Sequence, residues 1–212
     1  MGASSFDIVT VGGGLAASSL ARSMAERGAK VLILEQEKHF KDRVRGEYIM
    51  TWGVAEAREL GMLELLRQGC ASEIPWIDMG FGFRDLRVTT PQQLSGLSFS
   101  HPEMQETLLA AAEGSGAVVR RGTSVQHIEP GPHPRVVVGQ NGHEETIYCR
   151  LVAAADGRNS AARAWACGGG VRRSSQERTF APVGGLLTLE CHRRRTAWRH
   201  RPTAKTQGSS LI

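Results

Sequence analysis

A glycine-rich segment near the amino terminus carries the clearest chemical signal in the chain. In VGGGLAAS, the residues Gly12, Gly14 and Ala17 have the spacing G-x-G-x-x-[G/A]. Gly12 permits a tight turn, Gly14 lets the backbone approach a pyrophosphate, and Ala17 is small enough for close packing of a helix on a strand. The spacing predicts a diphosphate site. A glycine-rich turn without a ligand is the alternative.

The segments on either side of these glycines have the pattern that such a site needs. Phe6 to Val11 is β-branched and apolar, Leu15 to Arg27 reads as a helix stopped by Gly28, and Lys30 to Glu35 is a second apolar run. Together they predict a βαβ unit with parallel strands. The free N–H groups and positive dipole end of its helix would face the phosphates.

An acidic residue ends the second predicted strand, 23 residues after Gly12. A carboxylate at Glu35 would accept hydrogen bonds from a ribose 2′-OH and would repel a 2′-phosphate, and no arginine follows immediately to offset that repulsion. The site therefore suits FAD or NAD and not NADP. A solvent-facing glutamate at a strand end is the alternative.

A pair of arginines lies in RVRGE, from Arg43 to Glu47. Arg43 and Arg45 point the same way if this segment is extended, because successive side chains alternate. They could then clamp phosphate or ribityl oxygens. A solvated basic loop explains the pattern equally well.

A third motif, AADGRNSAAR, runs from Ala154 to Arg163. Here a strand ends at Asp156, which can accept from sugar hydroxyls, and Gly157 allows close approach of the backbone. Ser160 then starts a helix. A strand-to-helix turn with Ser160 as its N-cap has the same composition, so both interpretations stay open.

The remaining periodic segments fill in an α/β pattern. Ser100 and Glu103 are spaced as a capping box for a helix that ends near Glu113, and Asn141-Gly142 marks a hairpin. FGFRDLRVTT alternates as a half-exposed strand would, although the stretch from 73 to 99 is ambiguous. Further helices are predicted over 51–60 and 62–68, and strands over 117–129, 135–138 and 145–155.

Composition narrows the class of protein. Hydrophobic content of 41% and the absence of an 18-residue apolar run indicate a globular protein without a membrane span, and no secretory signal is present, so a cytoplasmic location is the default. The four cysteines form no CxxC unit, and no metal site is predicted. The net charge of +5 arises after residue 170, so the body gives no reason to expect a nucleic acid partner. The aperiodic, arginine-rich segment 191–212 is predicted to be disordered.

With these motifs taken together, the chain resembles the FAD-dependent aromatic monooxygenases typified by para-hydroxybenzoate hydroxylase, with relatives among epoxidases, halogenases and geranylgeranyl reductases. The resemblance rests on VGGGLAAS, on ILE ending at Glu35, on RVRGE followed by a helix, and on ADGRNSAAR, and it runs to about Leu187. It implies an α/β fold with a Rossmann-like parallel sheet, a β-meander and part of a substrate-domain sheet. FAD is the implied cofactor, NAD(P)H the reductant and a small organic molecule the substrate.

The resemblance also implies roles for particular residues. The turn would line the pyrophosphate, Glu35 would bind the adenosine ribose, and the two arginines would contact the FAD. Asp156 matches the acid of the family's second fingerprint, which also bears on NAD(P)H use, and the backbone of Val125 would meet the adenine. Family members often carry Arg or Gln at the start of the middle helix, where this chain has His101, with Gln105 one turn on. The full predicted cofactor set is Gly12, Gly13, Gly14, Leu15, Ala16, Ala17, Glu35, Arg43, Arg45, His101, Gln105, Val125, Asp156 and Gly157.

The family's third fingerprint, G-D-A-x-H followed by P-x-x-G-x-G, is absent from this sequence. We therefore expect a truncated or frame-shifted monooxygenase with an incomplete FAD-binding domain over 1–170, the substrate-covering region over 73–100, and the start of a substrate domain over 171–190. A catalytically inactive FAD-binding fragment is the alternative, as is a reductase or halogenase of the same fold. No catalytic residue is assigned, since His101 and His127 qualify only by type.

Overall fold

The computed structural model describes residues 5–42, 47–78, 80, 82–140 and 142–166. Arg43, Arg45 and the segments 171–190 and 191–212 lie outside these ranges. The elements, in chain order, are β1 (Ser5–Val11), α1 (Leu15–Ala25), β2 (Val31–Glu35), β3 (Tyr48–Ile49), α2 (Thr51–Glu59), α3 (Leu63–Gly69), β4 (Ala71–Ile74), β5 (Trp76–Asp78), β6 (Phe83–Asp85), α4 (Leu86–Thr89), β7 (Gly96–Phe99), α5 (His101–Gly114), β8 (Val118–Arg121), β9 (Ser124–Glu129), β10 (Arg135–Gln140), β11 (His143–Ala154) and α6 (Ala162–Ala166).

The main sheet has six strands in the order β8-β2-β1-β11-β10-β9. Strands β8, β2, β1 and the second half of β11 run parallel, whereas β9, β10 and the first half of β11 form an antiparallel meander. The predicted α/β fold with a mostly parallel sheet and a meander is therefore confirmed. Because the strands are parallel, the carboxyl ends of β1, β2, β8 and β11 meet at one edge, where the site lies.

The parallel sheet is buried on both faces, which explains the uninterrupted apolar run in β2. Val31 and Ile33 pack with α1 and α5, while Leu32 and Leu34 pack with the meander residues Val136, Val138 and Ile147. All five residues of β2 are buried. A strand covered by helices on one face and by a meander on the other has no solvent side on which to place polar residues.

Truncating one residue of this meander layer tests its packing. Val136 is fully buried, so Val136→Ala is expected to lower the free energy of unfolding by about 2 kcal/mol through lost contacts and a residual cavity. The matched change Val88→Ala, at a side chain that is 78% exposed, is expected to stay within about 0.5 kcal/mol. Urea unfolding of both variants makes the comparison. Equal losses would contradict this assignment of the core.

Two smaller sheets are built mostly from the segment that the sequence left ambiguous. Strands β3, β7 and β4 form an antiparallel sheet whose Leu97 and Phe99 pack against α2, α3 and α5. Strands β5 and β6 pair with each other and leave Trp76 and Phe83 exposed. The strand expected in FGFRDLRVTT ends at Asp85.

A local cap explains why that expectation was wrong beyond Asp85. The Asp85 Oδ1 accepts from the Arg87 N–H at 2.9 Å and starts α4, whose Leu86 is buried. The capping box before α5 was also wrong, since Ser100 is the N-cap but its side chain makes no capping hydrogen bond. The single strand expected over 117–129 is two strands, β8 and β9, separated at Gly122, which has φ +65°.

The two described cysteines are free thiols. Burial raises the pKa of the Cys149 thiol to about 11, and burial is also the main cause of a raised pKa at Cys70. Both thiols are therefore protonated near neutral pH, as expected of incidental structural cysteines. None of the helices in the described ranges is long and apolar enough to cross a membrane.

Candidate FAD-binding site

A cavity of about 600 Å³ opens at the carboxyl edge of the parallel sheet. It lies between the turn after β1, the loop after β2, the start of β9, the segment after β11 and the start of α5. Eight of the predicted cofactor residues line it: Gly12, Gly14, Glu35, His101, Gln105, Val125, Asp156 and Gly157.

Gly12 joins the ends of three strands. Its N–H donates to the Leu34 carbonyl at 2.8 Å, and its φ of +97° is a conformation that favours glycine. A Cβ at this position would lie 2.6 Å from the Ala155 carbonyl oxygen, at the end of β11. The turn therefore needs glycine for its own backbone, before any ligand is considered.

Glu35 turns back toward the same turn. Its Oε2 accepts from the Gly13 N–H at 2.6 Å, its Oε1 accepts from the Glu37 N–H at 2.8 Å, and the residue is only 6% exposed. A carboxylate has about four acceptor positions, so two remain for further donors. The buried carboxylate is thus fixed beside the glycine turn, on the wall of the cavity.

Gly14 differs from Gly12 because the protein alone does not require it. Its φ is −72°, and the nearest atom to an added Cβ would be the Gln105 Nε2 at 3.7 Å. It is the N-cap of α1 and makes no side-chain cap hydrogen bond. The first N–H groups of a helix have no partner within the helix, so this end of α1 suits an anion.

The next three predicted residues lie in the first turn of α1. The side chains of Leu15 and Ala16 are exposed, so only their backbone N–H groups are placed to serve a ligand near the turn. Ala17 is fully buried, as a helix that packs closely on a strand requires.

Asp156 has one satisfied oxygen and one unsatisfied oxygen. Its Oδ2 accepts from the Ala162 N–H at 3.0 Å, whereas its Oδ1 is buried and has no hydrogen-bond partner within the described ranges. Ser160 accepts from the Arg163 N–H at 3.2 Å, and α6 begins two residues after Ser160. The motif thus forms the capped strand-to-helix turn that was its alternative interpretation. It also leaves the Asp156 Oδ1 without a donor from the described residues.

The opposite wall comes from α5 and β9. His101 and Gln105 lie one turn apart at the start of α5, and the half-buried Val125 lies at the start of β9. The Thr123 N–H donates to the Glu35 carbonyl at 3.0 Å, which holds the start of β9 beside the end of β2.

Some lining residues have no signal in the sequence. Phe40 lines the cavity because an ion pair between Arg121 and Glu106 holds its loop: the Phe40 N–H donates to Glu106 at 3.4 Å, and the Arg121 guanidinium lies 5.0 Å from the Phe40 ring centroid. Trp165 on α6 also lines the cavity. These positions depend on long-range contacts, so spacing along the chain could not reveal them.

The residues present fit FAD. Two carboxylates offer acceptors for sugar hydroxyls, and the Asp156 Oδ1 is buried without a hydrogen-bond partner among the residues that the structure describes. A helix end offers N–H donors to phosphates, and the space beside Gly14 is left open by the protein. Such a set of acceptors and donors matches the alternating hydroxyl and phosphate groups of a dinucleotide.

The fold and this site define an FAD-binding domain with a Rossmann-like parallel sheet. Residues 5–188, most of the chain, match the family described as FAD binding domain. The chain belongs to this family, which confirms the resemblance drawn from its motifs.

Two curated relatives are similar over most of the chain. Squalene epoxidase 1 from Arabidopsis thaliana is 25% identical over 159 residues, which cover 71% of this chain and 30% of the relative. Menaquinone reductase from Mycolicibacterium smegmatis is 27% identical over 168 residues, which cover 73% of this chain and 38% of the relative. The chain thus spans about a third of the length of these relatives.

A solved structure shares the fold. The p-nitrophenol 4-monooxygenase PnpA from Pseudomonas putida DLL-E4 superposes with a TM-score of 0.66 and 20% identity, over 76% of this chain and 44% of that chain. At this level of identity the similarity supports the architecture of the domain.

Proposed function

We propose that this chain provides the FAD-binding part of a flavin-dependent monooxygenase that oxygenates a small organic substrate with NAD(P)H and O₂. The observation that carries the proposal is the Glu35 carboxylate, which is fixed to the Gly13 N–H beside a cavity that Gly14 leaves open. The similarity to an epoxidase and to a nitrophenol monooxygenase favours oxygenation among the reactions that flavins support.

Within this proposal each part of the cavity has a role. The turn from Gly12 to Ala17 lines the pyrophosphate and binds it through the backbone N–H groups at the start of α1, Glu35 accepts from the adenosine ribose, and the Asp156 Oδ1 accepts from a ribityl hydroxyl beside Gly157. His101 and Gln105 close the other side, and the Val125 backbone meets the adenine. Arg43 and Arg45 are proposed to contact the FAD on the basis of their motif alone.

The domain assignment is part of the same proposal. Residues 1–170 form the FAD-binding domain, in which 73–100 contributes to the substrate-covering region, and 171–190 begins a substrate domain. The β3-β7-β4 and β5-β6 sheets are separate from the main sheet, which is consistent with such a covering region. Bound FAD would supply the electron transfer and oxygen activation, while the protein positions it and excludes water.

A flavin-dependent reductase is the second candidate. The similarity to a menaquinone reductase, at 27% identity over 73% of this chain, is the observation that favours it. In that case electrons from NAD(P)H would pass to the organic substrate, and O₂ would contribute no atom to the product.

Reconstitution tests the proposal. The purified chain, incubated with FAD and dialysed, is expected to remain yellow, with the visible bands of oxidised flavin shifted from those of free FAD in the same buffer. The loaded protein is then given NADH or NADPH with a panel of phenols and polyprenes under isotopically labelled O₂. Labelled oxygen in a product supports the monooxygenase, and a reduced unlabelled product supports the reductase. If the protein is folded but binds no FAD and stays colourless after dialysis, both the monooxygenase and the reductase proposals are wrong.

A further inference from the structure

One aromatic side chain lines the cavity and has no role in the arrangement described so far. Trp165 lies on α6, is half-buried, and packs against the hydrophobic cluster that contains Val11, Ile128 and Ala162. Its ring meets the His127 ring edge-on, with centroids 6.1 Å apart and an angle of 71° between the planes. An edge-on contact of this kind occupies at most one face of the indole.

The position of Trp165 relative to Glu35 follows from two contacts. The Thr123 N–H bonds to the Glu35 carbonyl at 3.0 Å, and Val125, two residues further along, belongs to the same hydrophobic cluster as Trp165. Glu35, Val125 and Trp165 all line the one cavity. A ribose held by Glu35 would therefore direct its base toward the part of the cavity that Val125 and Trp165 line.

Phe40 is the other aromatic ring in the cavity wall, and it is less suited to stacking. The Arg121 guanidinium already lies over the Phe40 ring, which also packs against the cluster that contains Ile33 and Leu109. Both contacts take ring surface that a base would need. By comparison, α6 places the larger indole surface of Trp165 at the cavity, and its ring contact with His127 is edge-on.

We propose that the indole of Trp165 stacks on the adenine of the bound dinucleotide and makes the adenylate half a main source of affinity. This inference rests on the proposed FAD site. Stacking of a base on an aromatic side chain depends on the flat surface of the ring, so phenylalanine should replace tryptophan in part, whereas alanine should not.

The test measures FAD affinity and tryptophan fluorescence on the full chain. Trp165→Ala is expected to weaken FAD binding by roughly tenfold or more, and Trp165→Phe by no more than about threefold. Trp76→Phe, which changes an exposed tryptophan on β5, is the matched control and should leave the affinity unchanged. ADP carries the adenine but no flavin, so it cannot lower tryptophan fluorescence by absorbing the emitted light. In the wild type, ADP should therefore quench tryptophan fluorescence through stacking alone. Trp165→Phe should lose that quenching while ADP still competes with FAD.

The outcomes separate this inference from the FAD site itself. If FAD binds equally well to the wild type and to Trp165→Ala, stacking is wrong and the site stands. The same conclusion follows if ADP displaces FAD but leaves the fluorescence of Trp165 unchanged. If the wild type binds no FAD, the proposed function fails and the inference fails with it. Stacking of Trp165 on the adenine is supported if three results occur together. Trp165→Ala binds FAD more weakly, Trp165→Phe restores most of the affinity, and Trp165→Phe loses the quenching by ADP.

Discussion

Replacing Gly12 with alanine is expected to lower the free energy of unfolding by about 3 kcal/mol or more and to abolish retention of FAD. The turn has φ +97°, and a Cβ would lie 2.6 Å from the Ala155 carbonyl oxygen, a backbone atom that cannot rotate away. Relief of that contact would separate the ends of β1 and β11. Urea unfolding and a flavin spectrum after dialysis measure the two effects.

Gly28→Ala is the matched control for this prediction. Gly28 also has positive φ, +84°, but no atom of the part of the chain that the structure describes lies within 4 Å of its added Cβ. Gly28→Ala should lower the free energy of unfolding by about 1–2 kcal/mol, the cost of the backbone conformation alone, and FAD should be retained. The excess loss in Gly12→Ala then measures the contact with Ala155. Equal destabilisation of the two variants would show that the turn tolerates a side chain.

The βαβ unit could be predicted because its signals are local. The run from Phe6 to Val11 is mostly apolar and is buried from Ile8 onward, the helix after it is followed by Gly28, which takes positive φ, and the second run ends in a carboxylate. Each of these features depends on residues only a few positions apart. Strand, helix and turn chemistry agree there, so the sequence specifies the unit without help from distant contacts.

Distant contacts explain the parts that could not be predicted. Leu86 is buried and its N–H donates to the Pro75 carbonyl at 2.8 Å; together with the local Asp85 cap, these contacts turn a segment with strand-like alternation into a short helix. The break between β8 and β9 places Thr123 against the Glu35 carbonyl, across more than eighty residues of sequence. Tertiary packing overrides local propensity at both places.

The same division runs through the site. Glu35 and Asp156 could be singled out because Glu35 ends the buried strand β2 and Asp156 lies two residues after the end of β11, both within recognisable motifs. The loop that carries Phe40 is held by Arg121 and Glu106, and Trp165 reaches the cavity because α6 packs on β9. No sequence motif predicts that Phe40 and Trp165 line the cavity, because their positions depend on elements that are far apart in the chain.

Replacing Gly14 with alanine is expected to separate binding from stability. The φ of −72° suits any residue, and the added Cβ would lie 3.7 Å from its nearest neighbour, so unfolding should change by no more than about 1 kcal/mol. The methyl group would instead occupy the space through which a phosphate reaches the helix N–H groups. Loss of one charge-assisted hydrogen bond corresponds to a tenfold to hundredfold weaker affinity for FAD, roughly, measured by flavin fluorescence titration.

Gly114→Ala is the matched control for Gly14→Ala. Gly114 ends α5, no atom of the described residues lies within 4 Å of its added Cβ, and it is not among the residues that line the cavity. Both changes add a methyl group without a clash, but only the one at position 14 lies in the cavity. FAD affinity should fall in Gly14→Ala and stay unchanged in Gly114→Ala. If Gly14→Ala binds FAD as tightly as the wild type, the pyrophosphate does not approach this turn closely enough to require glycine at position 14.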